Sequence, residues 1–448
     1  MLKGLYDQNL YDTAAHQPSH WAATAGPAPA APPLTGDATA EVAVVGGGFT
    51  GLMAALHLAG AGVETVLLEA GPLAWGASGR NGGFCILGGS KLEPLDLAKR
   101  HGIEAARAFF AMQRASIDHV AETAEEHGID VERAGRGELF VAHKPGRMRG
   151  LRAWVEAVER VCGERWPVLD KAEVQARIGR TGEAEGAILI PHGFGLHPLR
   201  YAHGLAKAAQ GAGVHLHPAS PVVAWREEDG HHRLVTPQGS LKARRVLVAT
   251  NGFPSESLRP DLVGRVLPAL STILVTRRLT EPELAAQGWT EPWIFADSRS
   301  LLYYIRLLPD RRLLFGSRGG TDAGPAAFAR RVAWLTAKFR ARFPAWAGVE
   351  VERAWWGPVA LARSLHPHLG FLDEERSVLW AGAYHGNGVA MSGYLGRAAA
   401  MLLAGRPQPG PLPDFVRRPP PRFPVPRLRV PVLRAAYALF GLKDEVLS

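Results

Sequence analysis

The sequence predicts an α/β fold in which a Rossmann-like dinucleotide-binding domain is completed by a second, α+β domain built on an antiparallel sheet. Three observations carry that reading. A β-branched strand, a glycine turn and an apolar helix follow one another over residues 41–59, and a second strand closes on an acid at Glu69. Two stretches of helical periodicity occupy the chain between residues 104 and 161. Between residues 271 and 316, short segments carry the β-branched and aromatic content of an antiparallel sheet.

The elements follow in order. Residues 1–40 read as an irregular arm, because 26–34 form an Ala/Pro-rich linker. Residues 41–45 give the first strand, 46–51 the turn, 52–59 the start of the helix and 64–70 the second strand, a βαβ unit. Ala108, Phe109, Met112, Ile117, Val120 and Ala121 recur at helical spacing within 104–127, and 151–161 repeats the pattern, with a strand at 137–143 between them. A helix over 198–211 precedes strands at 214–217, 222–225, 233–236 and 245–250. Strands at 271–276, 301–307 and 312–316 make the platform of the second domain. The last strand is 378–383 and the last helix 388–403, ended by Gly405 and Pro407. The expected division is therefore a discontinuous nucleotide-binding domain (41–90, 190–255, 355–405), a substrate domain (91–189, 256–354) and a basic, proline-rich strap (406–448). Within the strap, 432–442 can form a short amphipathic helix.

The chain has 448 residues, enough for two cores, and 51 basic residues against 42 acidic ones give a net charge of +9. Much of the excess is arginine between 406 and 434, a local feature, so no nucleic-acid partner is expected. That stretch reads as a solvated face, as a strap docked on the protein's own surface, which we favour, or as a weak contact with an anionic membrane. Cys85 and Cys162 are the only cysteines and lie far apart, so neither a disulfide framework nor a CxxC motif is available. With no leader-like segment and no bilayer-length apolar run, the expected location is cytoplasmic. His231-His232, His215-x-His217 and His366-x-His368 read as solvated strand-edge histidines, and no metal site is expected.

The chemistry-bearing pattern is Gly46-x-Gly48-x-x-Gly51, with Phe49 and Thr50 inside it, set directly between strand and helix. Its glycines permit a tight turn, backbone approach to a pyrophosphate and close helix packing, while Glu69, followed by Ala70, can accept bonds from ribose hydroxyls. Glu69 in place of an arginine disfavours a 2′-phosphate. The motif alone does not separate FAD from NAD. The loop Gly76-Ala77-Ser78-Gly79-Arg80-Asn81-Gly82-Gly83 bears on that choice: Ser78, Arg80 and Asn81 offer donors to phosphate or ring oxygens. Taken by itself it is equally a surface glycine loop.

Together, Ala43 to Gly51, Leu68-Glu69-Ala70 and the loop at 76–83 resemble the D-amino-acid oxidase superfamily of flavoproteins, and the loop looks most like its γ-glutamylputrescine oxidase branch. The resemblance implies a glutathione-reductase-type FAD-binding domain and a non-covalent FAD. It extends through Gly195-Leu196-His197-Pro198 with Tyr201, through Val222 and Val223 on the adenine side, and through Thr250, Asn251 and Gly252. It ends at Gly386, Asn387, Gly388 and Val389, where helix N-terminal amides can stabilise negative charge on a reduced flavin. Cys85 reads as a core cysteine and not as a flavin tether.

The resemblance also places Tyr304, Arg306 and Trp356 near the active face, with His385 in the loop facing the flavin. Aromatic rings there can box an amine while Arg306 holds an anionic group; a structural sheet with a salt-bridged arginine is the competing reading. Relatives that oxidise α-amino acids, such as glycine oxidase, carry an arginine soon after the Trp-Gly pair, where this chain has Pro358-Val359-Ala360. The expectation is oxidation of the C–N bond of an amine, γ-glutamylputrescine-like or related, by hydride transfer to flavin N5, with hydrolysis of the imine and oxygen or a quinone as electron acceptor. The alternatives are a glycine- or sarcosine-like amino-acid oxidase, a flavin hydroxylase, or a non-catalytic FAD-binding protein.

Overall fold

A computed structural model describes residues 5–253, 256–289 and 291–445. The remaining positions, including the extreme ends of the predicted arm and strap and the last two residues of the predicted segment 190–255, lie outside it. Two large sheets organise the chain. In the first, the strand Gly36–Val45 runs parallel to both Gly239–Val248 and Thr65–Leu68; Val378–Gly382 and His215–His217 extend it on either side, also parallel. Its central residues, Val42 to Val45, are buried on both faces, which is why they read as an unbroken apolar run. The helices Phe49–Gly60, Pro198–Gly211 and Gly388–Leu403 pack together beside it.

The first strand starts at Gly36, five residues ahead of the predicted onset, because Gly36 to Ala40 pair with Gly239 to Ala243 at a largely exposed margin without apolar alternation. The strand predicted at 222–225 is displaced to Ala224–Glu228, the outer member of a hairpin with His231–Val235. The arm carries two short helical turns, Gln8–Tyr11 and His20–Thr24, the second capped by Ser19 and burying Trp21.

The second sheet is mostly antiparallel and runs in the spatial order Val351–Leu361, Leu267–Thr276, Leu313–Arg318, Tyr303–Leu307, Ile294–Asp297, Glu138–Val141, Ala187–Ile190 and Val168–Leu169. The first, the fifth and the last two were not anticipated, and Val351–Leu361 belongs to this sheet although it directly precedes the last strands of the other. The helix Pro325–Arg342, also not anticipated, covers the sheet's outer face together with the aromatic cluster of Trp289, Phe339, Phe343 and Trp346.

The C-terminal segment runs over the protein's own surface. Val416 is buried with its carbonyl accepting from the Leu369 amide at 2.8 Å, and the helix Arg429–Glu445 is moored at one end by Arg429 and at the other by Asp444. Arg429 pairs with Glu256 at 2.7 Å, and Asp444 accepts from the Leu301 amide at 3.1 Å. His232, His366 and His368 are buried, not solvated: His368 is held by Ser364 and the Arg418 carbonyl, and His232 by Ser377. Strand edges that sequence pattern leaves open are here covered by the strap and by Ser377. Among the described residues, no helix is long and apolar enough to cross a membrane.

Candidate functional site

The parallel register brings the residues that follow Val45, Leu68 and Val248 to one edge of the first sheet, the usual ligand position for such a fold. There Gly46 has φ +114, and a Cβ on it would lie 2.8 Å from the Ala249 carbonyl oxygen. At Gly51 a Cβ would stand 1.9 Å from the Gly46 carbonyl oxygen, so only glycine lets the helix start this close to the turn. Ser78 ties the second glycine loop to the first, its Oγ accepting from the Phe49 amide at 2.9 Å. Glu69 accepts from the amides of Gly47 at 2.6 Å and Gly71 at 3.1 Å. Burial raises its pKa and those amide bonds oppose the rise.

A long cleft follows. Ser220, Val222, Glu69 and Ala70 line one end; Gly46, Gly48, Phe49, Thr50, Ser78, Asn81, Thr250, Asn251 and Gly252 line its middle; His385, Gly386, Gly388 and Val389 close the other end. Val223 stands outside it, half-exposed, with its amide given to the Val235 carbonyl at 2.8 Å. Asn81 shapes the loop from within, donating to the carbonyls of Ala77 and Ser78 and accepting from the Gly83 amide. Thr50 and Tyr384 share a hydrogen bond of 2.6 Å across the start of the cleft helix.

The closed end is built from unusual backbone. Asn251, Ala383 and His385 all have positive φ (41°, 58° and 54°), and Asn251 Oδ1 accepts from the Ala383 amide at 2.8 Å. These turns aim the start of the helix Gly388–Leu403 at the cleft, where its first amides lack intrahelical acceptors. Asn387 donates to the Ile86 carbonyl at 2.8 Å, which fixes the loop. His385 Nε2 accepts from the Ala362 amide at 3.2 Å, so the ring proton sits on Nδ1; burial, then Lys91 and neighbouring cations, hold the pKa far below the ordinary histidine value and keep the ring neutral. His385 Nδ1 and Asn387 Oδ1 are both buried without a protein partner.

Behind this end lies a second cavity, sharing Ala77, Asn81, Pro358, Val359, His385, Gly386 and Val389 with the first, so the two meet at one throat. Its floor is one face of the second sheet: Ile190, Glu138, Phe140, Ala296, Tyr304 and Ser271. Alternation along Glu138–Val141 sends Glu138 and Phe140 to this face, while Leu139 and Val141 enter the core beneath. Tyr304 lies over Gly316, where a Cβ would come within 2.0 Å of its ring, and its hydroxyl is 2.7 Å from Ser271 Oγ. Burial pushes the phenol up to about 12. Phe84, Phe109, Phe110, Trp154 and Trp166 make the other walls, and Lys91 and Arg318 bring cationic groups.

Of the residues singled out from sequence, His385 stands at the throat, while Tyr304 and Gly82 line the second cavity. Arg80 also lines it, with Nε and Nη2 bonded to the Trp75 carbonyl at 3.0 and 2.6 Å, its guanidinium 4.5 Å from the Trp75 ring centre, and Nη1 without a partner. Burial brings its pKa down to about 9. Arg306 and Trp356 line neither cavity. Arg306 is 1% exposed and donates to the carbonyls of Gly83 at 2.5 Å and Leu196 at 3.1 Å, clamping the glycine loop; Trp356 packs with Leu10, Tyr11, Leu270 and Ala323. Cys85 is fully buried and also lies outside both cavities. Lys91, Glu138 and Arg318 were not singled out from sequence. Glu138 alone left a trace there: an acid at a buried-phase position of an otherwise apolar strand.

The length of the first cleft, the glycine cradle that Cβ atoms would fill, the acid beside it and the unpartnered polar atoms at its closed end fit FAD. Comparison with known proteins agrees. The family model described as "FAD dependent oxidoreductase" (DAO) matches residues 41–402. Gamma-glutamylputrescine oxidoreductase of Escherichia coli is 31% identical over 96% of this chain and 99% of its own length. A probable oxidoreductase of Rhizobium meliloti is 33% identical over 87% of this chain and 88% of its own. Among solved structures, glycine oxidase from Geobacillus kaustophilus superposes with a TM-score of 0.69 at 22% identity, covering 84% of this chain and 98% of its own, a likeness of fold.

Proposed function

This chain belongs to the DAO family of FAD-dependent oxidoreductases, and on that premise we propose that it oxidises the C–N bond of an amine whose charged or polar end lies away from the reacting carbon. Its cofactor is FAD. The observation that carries the proposal is the meeting of the cofactor cleft with a largely apolar second cavity, walled in part by aromatic rings, at the throat where His385, Gly386 and Val389 are among the shared residues. When bound, the flavin supplies a two-electron acceptor for the hydride leaving the carbon beside a neutral substrate nitrogen.

The chain's own residues do the rest. Gly46, Gly48, Gly51 and Ser78 would cradle the pyrophosphate, and Glu69 would take the ribose. The aromatic walls exclude water and orient the amine. The opening amides of the helix Gly388–Leu403, with Arg318 and Lys91, put a positive field at the throat, where negative charge develops during reduction. Neutral His385 presents Nδ1–H there as a hydrogen-bond donor. Water hydrolyses the imine product, so no dedicated acid–base pair is required.

Pro358-Val359-Ala360 at the throat supports an amine over an α-amino acid, since no guanidinium rises from that segment to hold a carboxylate next to the reacting carbon. Oxygen or a quinone would reoxidise the flavin. The exposed Val432, Leu439 and Leu442 of the C-terminal helix support a weak membrane-surface contact, and the two free cysteines support a cytoplasmic location. The test is anaerobic titration of the yellow protein with amines, amino acids and NADPH. Bleaching by amines is expected. Bleaching by NADPH alone, or by no reductant but dithionite, refutes the proposal.

A further inference from the structure

Among the polar groups on the walls of the second cavity, one acid stands out. Glu138 is 3% exposed, faces the cavity, and has no hydrogen-bonding or ion-pairing partner among the described residues. It is the single acidic side chain among the described lining residues. Lys91 and Arg318 are near enough to act on it electrostatically, yet neither forms an ion pair with it. Arg318 makes one long bond, to the His385 carbonyl at 3.4 Å, and its guanidinium lies against Gly386, where a Cβ would meet it at 2.4 Å. Lys91 is exposed and lines the same cavity.

An unpaired carboxylate is a poor structural element. Burial pushes the Glu138 pKa up to about 8, so its charged form is disfavoured while the cavity holds only water, and an apolar residue would serve the sheet better. An ionisable carboxyl kept under these conditions is complementary to something that enters and stabilises its charged form. The surroundings indicate what. Phe140, two residues along on the same face, with Trp154 and Trp166 packed edge-on in succession from it, gives aromatic faces on the cavity that holds the single acid, a combination that suits a protonated nitrogen. The nitrogen that is oxidised must be neutral to lose hydride, so the cation bound at Glu138 is a different nitrogen.

We propose that Glu138 is a specificity-determining residue: it anchors a second, protonated nitrogen of the substrate, remote from the C–N bond that is oxidised, and Lys91 and Arg318 flank it to take a carboxylate where the same head group carries one. The substrate is then an amine extended by a cationic or zwitterionic head. The assignment rests on the amine-oxidation reading for the chemistry at the throat, but the head-group preference stands on Glu138 itself.

The test uses the FAD-loaded full chain, wild type and Glu138→Gln, with four N-acyl diamines that share the oxidisable amine and differ at the acyl end: uncharged, ammonium, carboxylate, or both. Glutamine keeps the shape and removes no protein contact, so the variant folds. The expected result is a preference for the ammonium-bearing compounds over the uncharged one that collapses about tenfold or more in Glu138→Gln, through KM. Calorimetric titration of the oxidised protein with the same compounds reads the preference without turnover. A preference that is absent in wild type or unchanged in the variant overturns the proposal. Glu138-dependent binding of compounds that never bleach the flavin would instead leave the anchor standing and sink the amine-oxidation reading.

Discussion

Replacing Glu138 with glutamine is expected to stabilise the protein, and to do so increasingly with pH. Burial raises the carboxyl from its ordinary 4.5 to about 8, with Arg318 and then Lys91 opposing that rise. Because the folded value is the higher one, both states are protonated below about pH 4.5 and the residue costs nothing there. Between the two values the unfolded chain is ionised and the folded chain is not, so the cost grows by about 1.4 kcal/mol per pH unit and levels off above the folded value. At pH 7 the gap is about 2.5 units from the ordinary value, a destabilisation of about 3 kcal/mol. Glutamine never ionises and escapes it. Lys91, Arg318, Arg80 and His385 face the same cavity; Glu138 acts on the first two and not on Arg80 or His385, so the difference between variant and wild type reads Glu138 together with its coupling to Lys91 and Arg318. The assay is thermal or urea unfolding of both proteins at a series of pH values from 5 to 9. A stability difference that stays flat, or that favours wild type at high pH, refutes the unpaired, desolvated carboxylate on which the head-group assignment depends.

Gly51→Ala drives a methyl into the Gly46 carbonyl oxygen at 1.9 Å, and is expected to yield protein with little or no bound flavin, read from the visible absorbance of the purified chain. Arg306→Met frees the carbonyls of Gly83 and Leu196; its expected signature is a lowered melting temperature and loss of flavin on dilution, because the residue lines neither cavity. Tyr304→Phe removes the bond to Ser271 and costs about 1 kcal/mol of stability, with turnover retained, which steady-state kinetics and melting curves check together. Arg429→Ala leaves Glu256 without its cation and should cost about 3 kcal/mol, measured by unfolding, with earlier proteolysis of the C-terminal helix.

The cofactor half of the molecule was legible in sequence because its constraints are local. A tight turn needs glycine at 46, 48 and 51, the following helix needs an apolar run, and an acid at 69 completes a unit of contiguous chain. Likewise the helices Pro198–Gly211 and Gly388–Leu403 begin and end where their proline and glycine signals put them. The substrate half was less legible because its residues meet only through the sheet. Glu138 and Tyr304 share a face by way of the intervening strand Ile294–Asp297, whose pattern is too short to show, and Arg318 lies two residues beyond the predicted end of its strand. Arg306 misled for a related reason: alternation puts it on the same face as Tyr304, yet which end of that face carries the loop at Gly83 is a matter of tertiary position.

On the proposed reading, that geometry would let a fold shared with glycine oxidase serve a longer amine. If the carboxylate clamp stood beside the throat, on the segment Pro358-Val359-Ala360, the substrate's polar head would have to sit next to its reacting carbon. Here that segment is apolar, and the charged groups are on other elements: Glu138 on a strand of the sheet floor, Lys91 in the loop after the strand Phe84–Ile86, Arg318 at a strand end against Gly386. On the proposed assignment, placing the acid on the sheet floor and not on the segment beside the throat would set the head group apart from the reacting carbon without altering the cofactor cleft, since none of these three residues lines it. Substrate choice and flavin binding can therefore vary independently in this architecture, with His385, Gly386 and Val389 as the shared boundary.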